Sequence, residues 1–138
     1  MALVCPNVSE VTLLEYLVNK AAPTNPVLRL FHNDVTPSES TIIGGGLPNG
    51  LEEANETGYG AITLTGASWT VSTLGGTTTA SYAEQTFTFT AGADIYGYYV
   101  TSSDVSPKLL YAERFDGAPF QLPSGGGVIA ITPRLELA

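Results

Sequence analysis

The sequence predicts an all-β protein, an antiparallel β-sandwich or jelly roll with one N-terminal α-helix, in a single domain that spans residues 1–138. Short segments alternate apolar and polar side chains, which is the period of a strand with one buried face. Turn-forming residues separate these segments at intervals of about 8–12 residues, so that about seven to nine strands are expected. Crossover helices between the strands are missing, and this excludes a parallel α/β fold.

The N-terminal segment, residues 1–25, contains the predicted helix. Asn7 occupies a capping position, and Glu10 follows three residues later, as in a capping box. Apolar residues then recur at helical spacing, at Val11, Leu14, Leu17 and Val18. Pro23 ends the helix. We expect this amphipathic helix either to cover one end of the sandwich or to dock on a partner.

The first strand is expected at Val27–His32, with Leu28 and Leu30 on one side. Residues 39–58 are the least regular part of the chain and predict a long, mobile surface loop. Its run Gly44–Gly46 is not followed by the Lys and Ser or Thr of a phosphate-binding loop. A phosphate-binding role is therefore not indicated. Because long mobile loops often become ordered against a neighbour, we expect an intersubunit contact here.

Two alternating segments follow, at Tyr59–Thr65 and Ser68–Ser72. In the second, Trp69 and Val71 should point inward. Trp69 is the only tryptophan, and it is interpreted as a core anchor, with a ligand-stacking platform as the alternative.

Three further strands are predicted at Gln85–Thr90, Asp94–Thr101 and Leu109–Phe115. The second is rich in tyrosine, isoleucine and valine and should be apolar on both faces. Two short turn-rich connections join the three, which favours an antiparallel meander. Strands at Phe120–Pro123 and Val128–Leu137 close the chain, and Pro133 places the last one at an edge or at a bulge. Alternation leaves the strand order open.

Composition excludes several functions. The net charge is −8 and the pI near 4.3, and the basic residues are scattered at Lys20, Arg29, Lys108, Arg114 and Arg134. Nucleic acid and anionic membranes are therefore not expected partners. The charged content of 13% is below the usual ~25%, which suits contacts with other proteins. The lone Cys5 excludes an intrachain disulfide and is expected to behave as a small buried apolar side chain.

The first residues lack a basic segment of the kind that opens a signal peptide, and no apolar run approaches the ~20 residues of a membrane span. We expect the chain to be synthesised and first folded in the cytoplasm.

No catalytic motif is recognised, so we expect neither enzyme activity nor a cofactor or metal. The acidic residues lie mostly in loops, where a Ca²⁺ site remains an alternative, and His32 is the only histidine. Glu113 is the one charge expected among aromatic residues. We expect Glu113 either to form an ion pair with a basic residue (Arg29, Lys108 or Arg134) or to belong to a cross-strand surface pair.

Several stretches are similar to a known group of proteins. These are the opening Pro6–Lys20 with Pro26–Pro37, and the segments Tyr59–Thr70, Gln85–Thr90, Ile95–Thr101 and Leu109–Phe120. Together they resemble small proteins encoded among the structural genes of tailed bacteriophages, some of which look like capsid cement (decoration) proteins. The resemblance implies a virion component on the capsid surface that binds the major capsid protein lattice and stabilises the head. Trimers suit the local threefold positions of such a lattice, so a homotrimer is expected.

Five residues are the predicted partner contacts: Leu14 and Leu17 on the helix, and Ile43, Leu47 and Leu51 in the 39–58 loop. Two alternatives stay open. One is a structural protein of the tail, an adaptor or a fibre. The other is a carbohydrate-binding module that stacks sugars on Trp69 and on Tyr96, Tyr98 or Tyr99.

Overall fold

The computed structural model describes residues 3–137. The chain is built mainly of antiparallel strands with a helix near its N-terminus, which confirms the predicted all-β, sandwich-like class. The elements, in chain order, are α1 (Asn7–Leu17), β1 (Val27–Phe31), β2 (Ile42–Ile43), β3 (Gly50–Leu51), β4 (Ile62–Thr63), a 3₁₀ turn (Gly66–Ser68), β5 (Thr70–Leu74), β6 (Thr77–Ser81), β7 (Gln85–Phe89), β8 (Ala93–Ile95), β9 (Gly97–Thr101), β10 (Leu109–Arg114), β11 (Phe120–Leu122), β12 (Gly127–Ile131) and β13 (Arg134–Leu137).

The central sheet has the order β10-β9-β1-β4, and its neighbouring strands are antiparallel. All five residues of β9 are buried, as the sequence predicts for a strand apolar on both faces. Successive side chains of a strand point to opposite faces, so Tyr98 enters one hydrophobic cluster and Tyr99 the other.

The larger cluster forms the interior of the sandwich. Residues of β1, β9 and β10 meet residues of the β7–β12 and β8–β11 pairs there. The alternation in β7 and β12 is confirmed, because Phe87, Phe89, Ile129 and Ile131 are all buried. The smaller cluster lies on the other face of the central sheet and includes Phe31, Val35 and Leu51.

The predicted meander is only partly right. β10 pairs with β9 as expected, but β7 pairs with β12, and the other neighbour of β9 is β1. The segment expected as one strand at 94–101 is divided at Tyr96. The Tyr96 N–H donates to the carbonyl of Phe31, and the N–H of Phe115 donates to the carbonyl of Tyr96. These contacts are non-local, so side-chain alternation does not reveal them.

Residues 39–58 are held against the rest of the domain by backbone pairing and by buried side chains, unlike a mobile surface loop. Ile42–Ile43 runs parallel to Gly50–Leu51, and Leu51 and Ala54 are buried. A backbone bridge also joins Glu53 to Phe31. The longest exposed run is the short turn around Leu47, between β2 and β3.

The three strands β13, β6 and β5 form a separate sheet, in that order, which we call the arm. Every residue of β5 is exposed, so the inward position expected for Val71 is wrong. Trp69, just before β5, is half-buried and packs edge-on against Tyr82. β5 thus extends beyond the core, whereas Leu135 of β13 packs against it.

The interruption predicted at Pro133 is confirmed. It separates β12, in the body, from β13, at one edge of the arm. Opposite it, residues 82–84 join β6 to β7, and the Tyr82 N–H donates to the Pro133 carbonyl at 3.0 Å. The two links lie side by side, so the β6–β13 pair continues into the β7–β12 pair as one bent ribbon.

Candidate partner-binding surface

The helix α1 packs with its polar side inward. It lies against β10, and its buried residues are Ser9 and Thr12. The predicted apolar side is on the surface: Leu14 is 60% exposed and Leu17 is 81% exposed. The exposed apolar side chains of this segment are Val8, Val11, Leu13, Leu14, Leu17 and Val18.

The backbone before α1 explains this orientation. Val4 forms an antiparallel bridge with Ala112 of β10, and the Asn7 N–H donates to the carbonyl of Glu39. Pro6, rather than Asn7, precedes the first helical residue, and no side-chain hydrogen bond caps the helix. The capping box expected from Asn7 and Glu10 is therefore wrong. The chain enters the helix in a direction set by contacts with distant residues.

A groove of about 410 Å³ runs between α1 and the β2 segment. Its walls are Val8, Val11, Thr12 and Glu15 on the helix, Ile42 and Ile43 on β2, and Pro107, Lys108 and Leu109 before β10. The groove brings together the two regions that the sequence predicts as partner contacts.

The carboxylate that lines this groove is paired with lysines. Glu15 accepts contacts from Lys20 Nζ at 3.4 Å and from Lys108 Nζ at 3.6 Å. Both lysines are largely exposed, and ion pairs of this kind stabilise a fold by at most about 1 kcal/mol. Their effect here is to neutralise the carboxylate of Glu15 beside the apolar residues of the groove.

The predicted contact residues divide into two groups. Leu14, Leu17 and Leu47 are largely exposed, and Ile43 is partly exposed and lines the groove. Leu51 is fully buried among Phe31 and Val35, so it cannot meet a partner directly. It is buried because its side chain packs into the smaller cluster, on the outer face of the central sheet.

Sequence reasoning missed Val8 and Leu13, which are 46% and 44% exposed. The signal was present in the helix sequence, whose apolar residues cover more than one stripe. A helix with too many apolar positions for a single face leaves some of them on the surface.

A second apolar cleft, of about 420 Å³, lies between the start of the chain and the arm. Its lining includes Leu3, Cys5 and Leu13 on one side and Trp69 and Leu135 on the other. Burial, followed by the nearby carboxylate of Glu10, raises the pKa of the Cys5 thiol. The thiol is therefore protonated near neutral pH, and Cys5 acts as a small half-buried apolar side chain.

Glu113 forms a cross-strand pair, as one of the two interpretations of the sequence proposed. It lies opposite Tyr98 in the β9–β10 register, and the Tyr98 hydroxyl donates to it at 2.7 Å. All three of its expected basic partners pair elsewhere: Arg29 with Glu53, Lys108 with Glu15, and Arg134 with Glu136. His32 Nδ1 lies 2.8 Å from Glu56 Oε1, so the only histidine pairs with a single carboxylate.

The rings considered for sugar stacking do not share an open face. Tyr98 and Tyr99 are buried in different clusters, and Trp69 packs on Tyr82. The guanidinium of Arg114 lies 5.1 Å from the ring centre of Tyr96 and covers it. Among residues 3–137, no group of three or more His, Cys, Asp or Glu side chains could hold a metal ion. No helix in the same residues is long and apolar enough to cross a bilayer.

Comparisons with protein-family models, with curated proteins and with solved structures find no match to this chain.

Proposed function

We propose that this chain is a structural component of a tailed-bacteriophage virion, a decoration protein that binds the major capsid protein lattice and stabilises the head. The proposal rests on one observation: α1 packs Ser9 and Thr12 inward and leaves its leucines and valines outside. Contiguous apolar surface of this kind marks contacts with other proteins. The resemblance to phage structural proteins names the partner.

The size of the expected contact favours a lattice over an isolated partner. Fully burying one leucine or valine stabilises a complex by about 1.5–3 kcal/mol, and these side chains are already partly covered. Association itself costs about 4–15 kcal/mol in lost freedom. The helix surface alone would therefore bind weakly. Repeated on a capsid, where several contacts form together, the same surface binds much more tightly.

In this proposal the helix and the groove have separate roles. The exposed side of α1, with Leu14 and Leu17, is the surface that enters a depression on the capsid. The groove beside Ile43 receives an apolar segment of the capsid protein. The homotrimer expected at local threefold positions belongs to the same proposal, with its copies positioned by the lattice.

An add-back experiment tests the helix contact. Particles assembled from the major capsid protein of the same genome, without this chain, are mixed with purified protein and sedimented. We expect the wild type to bind, and the double variant Leu14→Asp, Leu17→Asp to lose binding by at least about tenfold, because burial of two carboxylates is unfavourable. Circular dichroism should be unchanged, since both side chains are exposed.

The matched control is Val105→Asp, which adds a charge at a fully exposed apolar residue outside both grooves. It should bind like the wild type. Equal binding by the double variant would remove α1 from the contact. Failure of the wild type to bind, together with density on the tail in images of whole virions, would favour the tail protein and overturn the capsid assignment.

A further inference from the structure

Among residues 3–137, no strand other than β6 pairs with β5, the outer strand of the arm, so β5 has a free edge there. The order β13-β6-β5 gives β5 one neighbour, β6, to which it is joined through Gly75 and Gly76. These glycines have φ values of +60° and +86°, which fit a two-residue type I′ turn. The turn fixes the register, with Leu74 opposite Thr77.

The register determines which backbone groups point outward. The residues that flank a two-residue hairpin turn form a hydrogen-bonded pair, and such pairs alternate along the ladder. Leu74, Ser72 and Thr70 therefore exchange hydrogen bonds with β6. The backbone N–H and C=O groups of Val71 and Thr73 point away from it, toward solvent.

This edge lacks the features that usually protect one. Edge strands are commonly blunted by lysine, by proline or by a bulge. β5 reads Thr-Val-Ser-Thr-Leu, pairs with β6 without a register shift and is exposed along its whole length. In addition, residues 57–83 contain no charged side chain, although the chain carries a net charge of −8.

We propose that β5 pairs with β5 of a second copy of this chain, antiparallel and centred on Ser72. The outward groups of Val71 then meet those of Thr73 in the other copy, and the reverse pair forms by symmetry. Ser72 lies opposite its own equivalent, as a pair without mutual backbone hydrogen bonds. The two arms join into one continuous sheet, with three strands from each copy.

Symmetry and charge both favour a second copy as the partner. The outward groups are placed evenly about Ser72, so the edge is complementary to itself, as a twofold contact requires. Two molecules of charge −8 repel each other over most of their surfaces. The charge-free hairpin is where two copies approach with least repulsion, because Arg134 and Glu136 lie on the opposite strand and neutralise each other.

We expect the pair to be weak in dilute solution. It joins the five residues of β5 from each copy, whereas a standard interface uses about 20–30 residues a side. The pairing does not depend on the proposed capsid function. On a lattice it would link copies across a twofold position, and it differs from the threefold contact of a homotrimer.

Cysteine cross-linking in the full chain tests the register. In a Cys5→Ser background, Ser72→Cys places two thiols opposite each other, within the ~3.5–4.5 Å between Cβ atoms that a disulfide needs. Thr79→Cys is the matched control: it lies one strand farther in, so its two copies would be three strand spacings, about 14 Å, apart. Val105→Cys, on a fully exposed loop, measures random collision.

We expect Ser72→Cys to form a disulfide-linked dimer at least about tenfold faster than either control, because pairing raises the effective concentration of the thiols. Equal rates at Ser72→Cys and Val105→Cys would overturn the proposal. So would a trimer by light scattering in which position 72 does not cross-link.

A second variant separates pairing from folding of the arm. Thr73→Pro removes an outward N–H and should abolish cross-linking through Ser72→Cys, while the ladder to β6 is kept. The Thr73 hydroxyl also bonds to Thr78 at 2.8 Å, so Thr73→Val is the control that loses this bond and keeps the N–H. Undiminished cross-linking in Thr73→Pro, or equal loss in Thr73→Val, would contradict the assigned register.

Discussion

Arg29 Nη1 lies 2.8 Å from Glu53 Oε2, and this ion pair joins β1 to the segment that follows β3. Each group has a further partner: Arg29 Nε donates to the Thr101 hydroxyl at 3.0 Å, and the Tyr59 hydroxyl donates to Glu53 at 2.9 Å. The Tyr59 oxygen in turn accepts from the Leu30 N–H at 3.2 Å. Through Glu53 and Tyr59, this network connects residues 52–59 to β1 of the central sheet.

Removing the charge of Glu53 should therefore destabilise the fold. We expect Glu53→Gln to lower the free energy of unfolding by about 1–3 kcal/mol, because Arg29 keeps its charge in a partly buried site. Urea denaturation measures the change. Glu52→Gln, at the neighbouring exposed residue, should stay within about 0.5 kcal/mol of the wild type. Equal effects of the two substitutions would show that the network does not stabilise the protein.

The His32–Glu56 pair predicts a dependence of stability on acid. Burial alone would raise the pKa of Glu56, but the hydrogen bond from His32, with backbone hydrogen bonds and the histidine charge, outweighs it and holds that pKa below its usual value. A lowered pKa in the folded state stabilises the protein above the unfolded pKa of about 4.3, and the stabilisation is lost as pH falls through the folded pKa.

The test compares the free energy of unfolding of the wild type with that of Glu56→Gln, at pH 6 and at pH 3. We expect the variant to be less stable by about 0.5–1.5 kcal/mol at pH 6 and the difference to shrink at pH 3. Glu39→Gln, at an exposed glutamate, is the control and should show no such convergence. A difference that grows toward pH 3 would reverse the assigned sign.

Alkaline pH should unfold the protein, because unfolding allows its buried tyrosines to ionise. Burial, above all, raises the pKa of Tyr59, Tyr98, Tyr99 and Tyr111 well above the usual 10. The stability linked to a raised pKa is present below the unfolded pKa and is lost as pH rises through the folded one. We therefore expect alkaline unfolding that begins above about pH 10.

Absorbance at 295 nm follows phenolate formation in this titration. At pH 11, the folded protein should give less than half of the signal of the same protein in denaturant, because four of its seven tyrosines remain protonated. Full ionisation at pH 11 with unchanged near-ultraviolet circular dichroism would contradict the burial of these rings.

Gly97 should not tolerate a side chain. It opens β9, and a Cβ atom added there would overlap the carbonyl oxygen of Glu113 and lie 2.6 Å from the Phe31 ring. We expect Gly97→Ala to lower the free energy of unfolding by about 2–4 kcal/mol, because neither the ladder nor the packed ring can move away. Thermal and urea denaturation measure this loss.

Gly60→Ala is the matched control for Gly97→Ala. A Cβ atom at Gly60 meets nothing within 4 Å, and its backbone is not in the left-handed region. This variant should be neutral or stabilised by up to about 1 kcal/mol. A loss at Gly60 as large as that at Gly97 would show that the effect is not the close approach.

The fold class and most strands follow from the sequence because side-chain alternation reports local geometry. Phe87 and Phe89 are buried as their spacing predicts, and so are Ile129 and Ile131. The pairing of their strands could not be predicted, because many antiparallel orders bury the same faces. The β7–β12 pairing joins residues about forty positions apart.

The candidate surface was partly predictable. The apolar spacing of α1 identified Leu14 and Leu17, but not whether that side faces the core or solvent. That choice depends on the Val4–Ala112 bridge and on the Asn7–Glu39 hydrogen bond, which join distant residues. Val71 was misjudged for a similar reason, since its alternation is that of a half-buried strand, whereas β5 extends beyond the core.

The bent ribbon has a mechanical consequence. Three chain segments connect the arm to the rest of the domain: residues 64–69 before β5, residues 82–84 between β6 and β7, and residues 132–133 between β12 and β13. The last two lie side by side and lead into the β7–β12 pair. Tension applied at the tip of the hairpin, near Leu74, passes along β6 into β7, which is anchored by the buried Phe87 and Phe89, and along β5 to the half-buried Trp69. The load therefore divides between the interior of the sandwich and the contact of Trp69 with Tyr82 at the base of the arm.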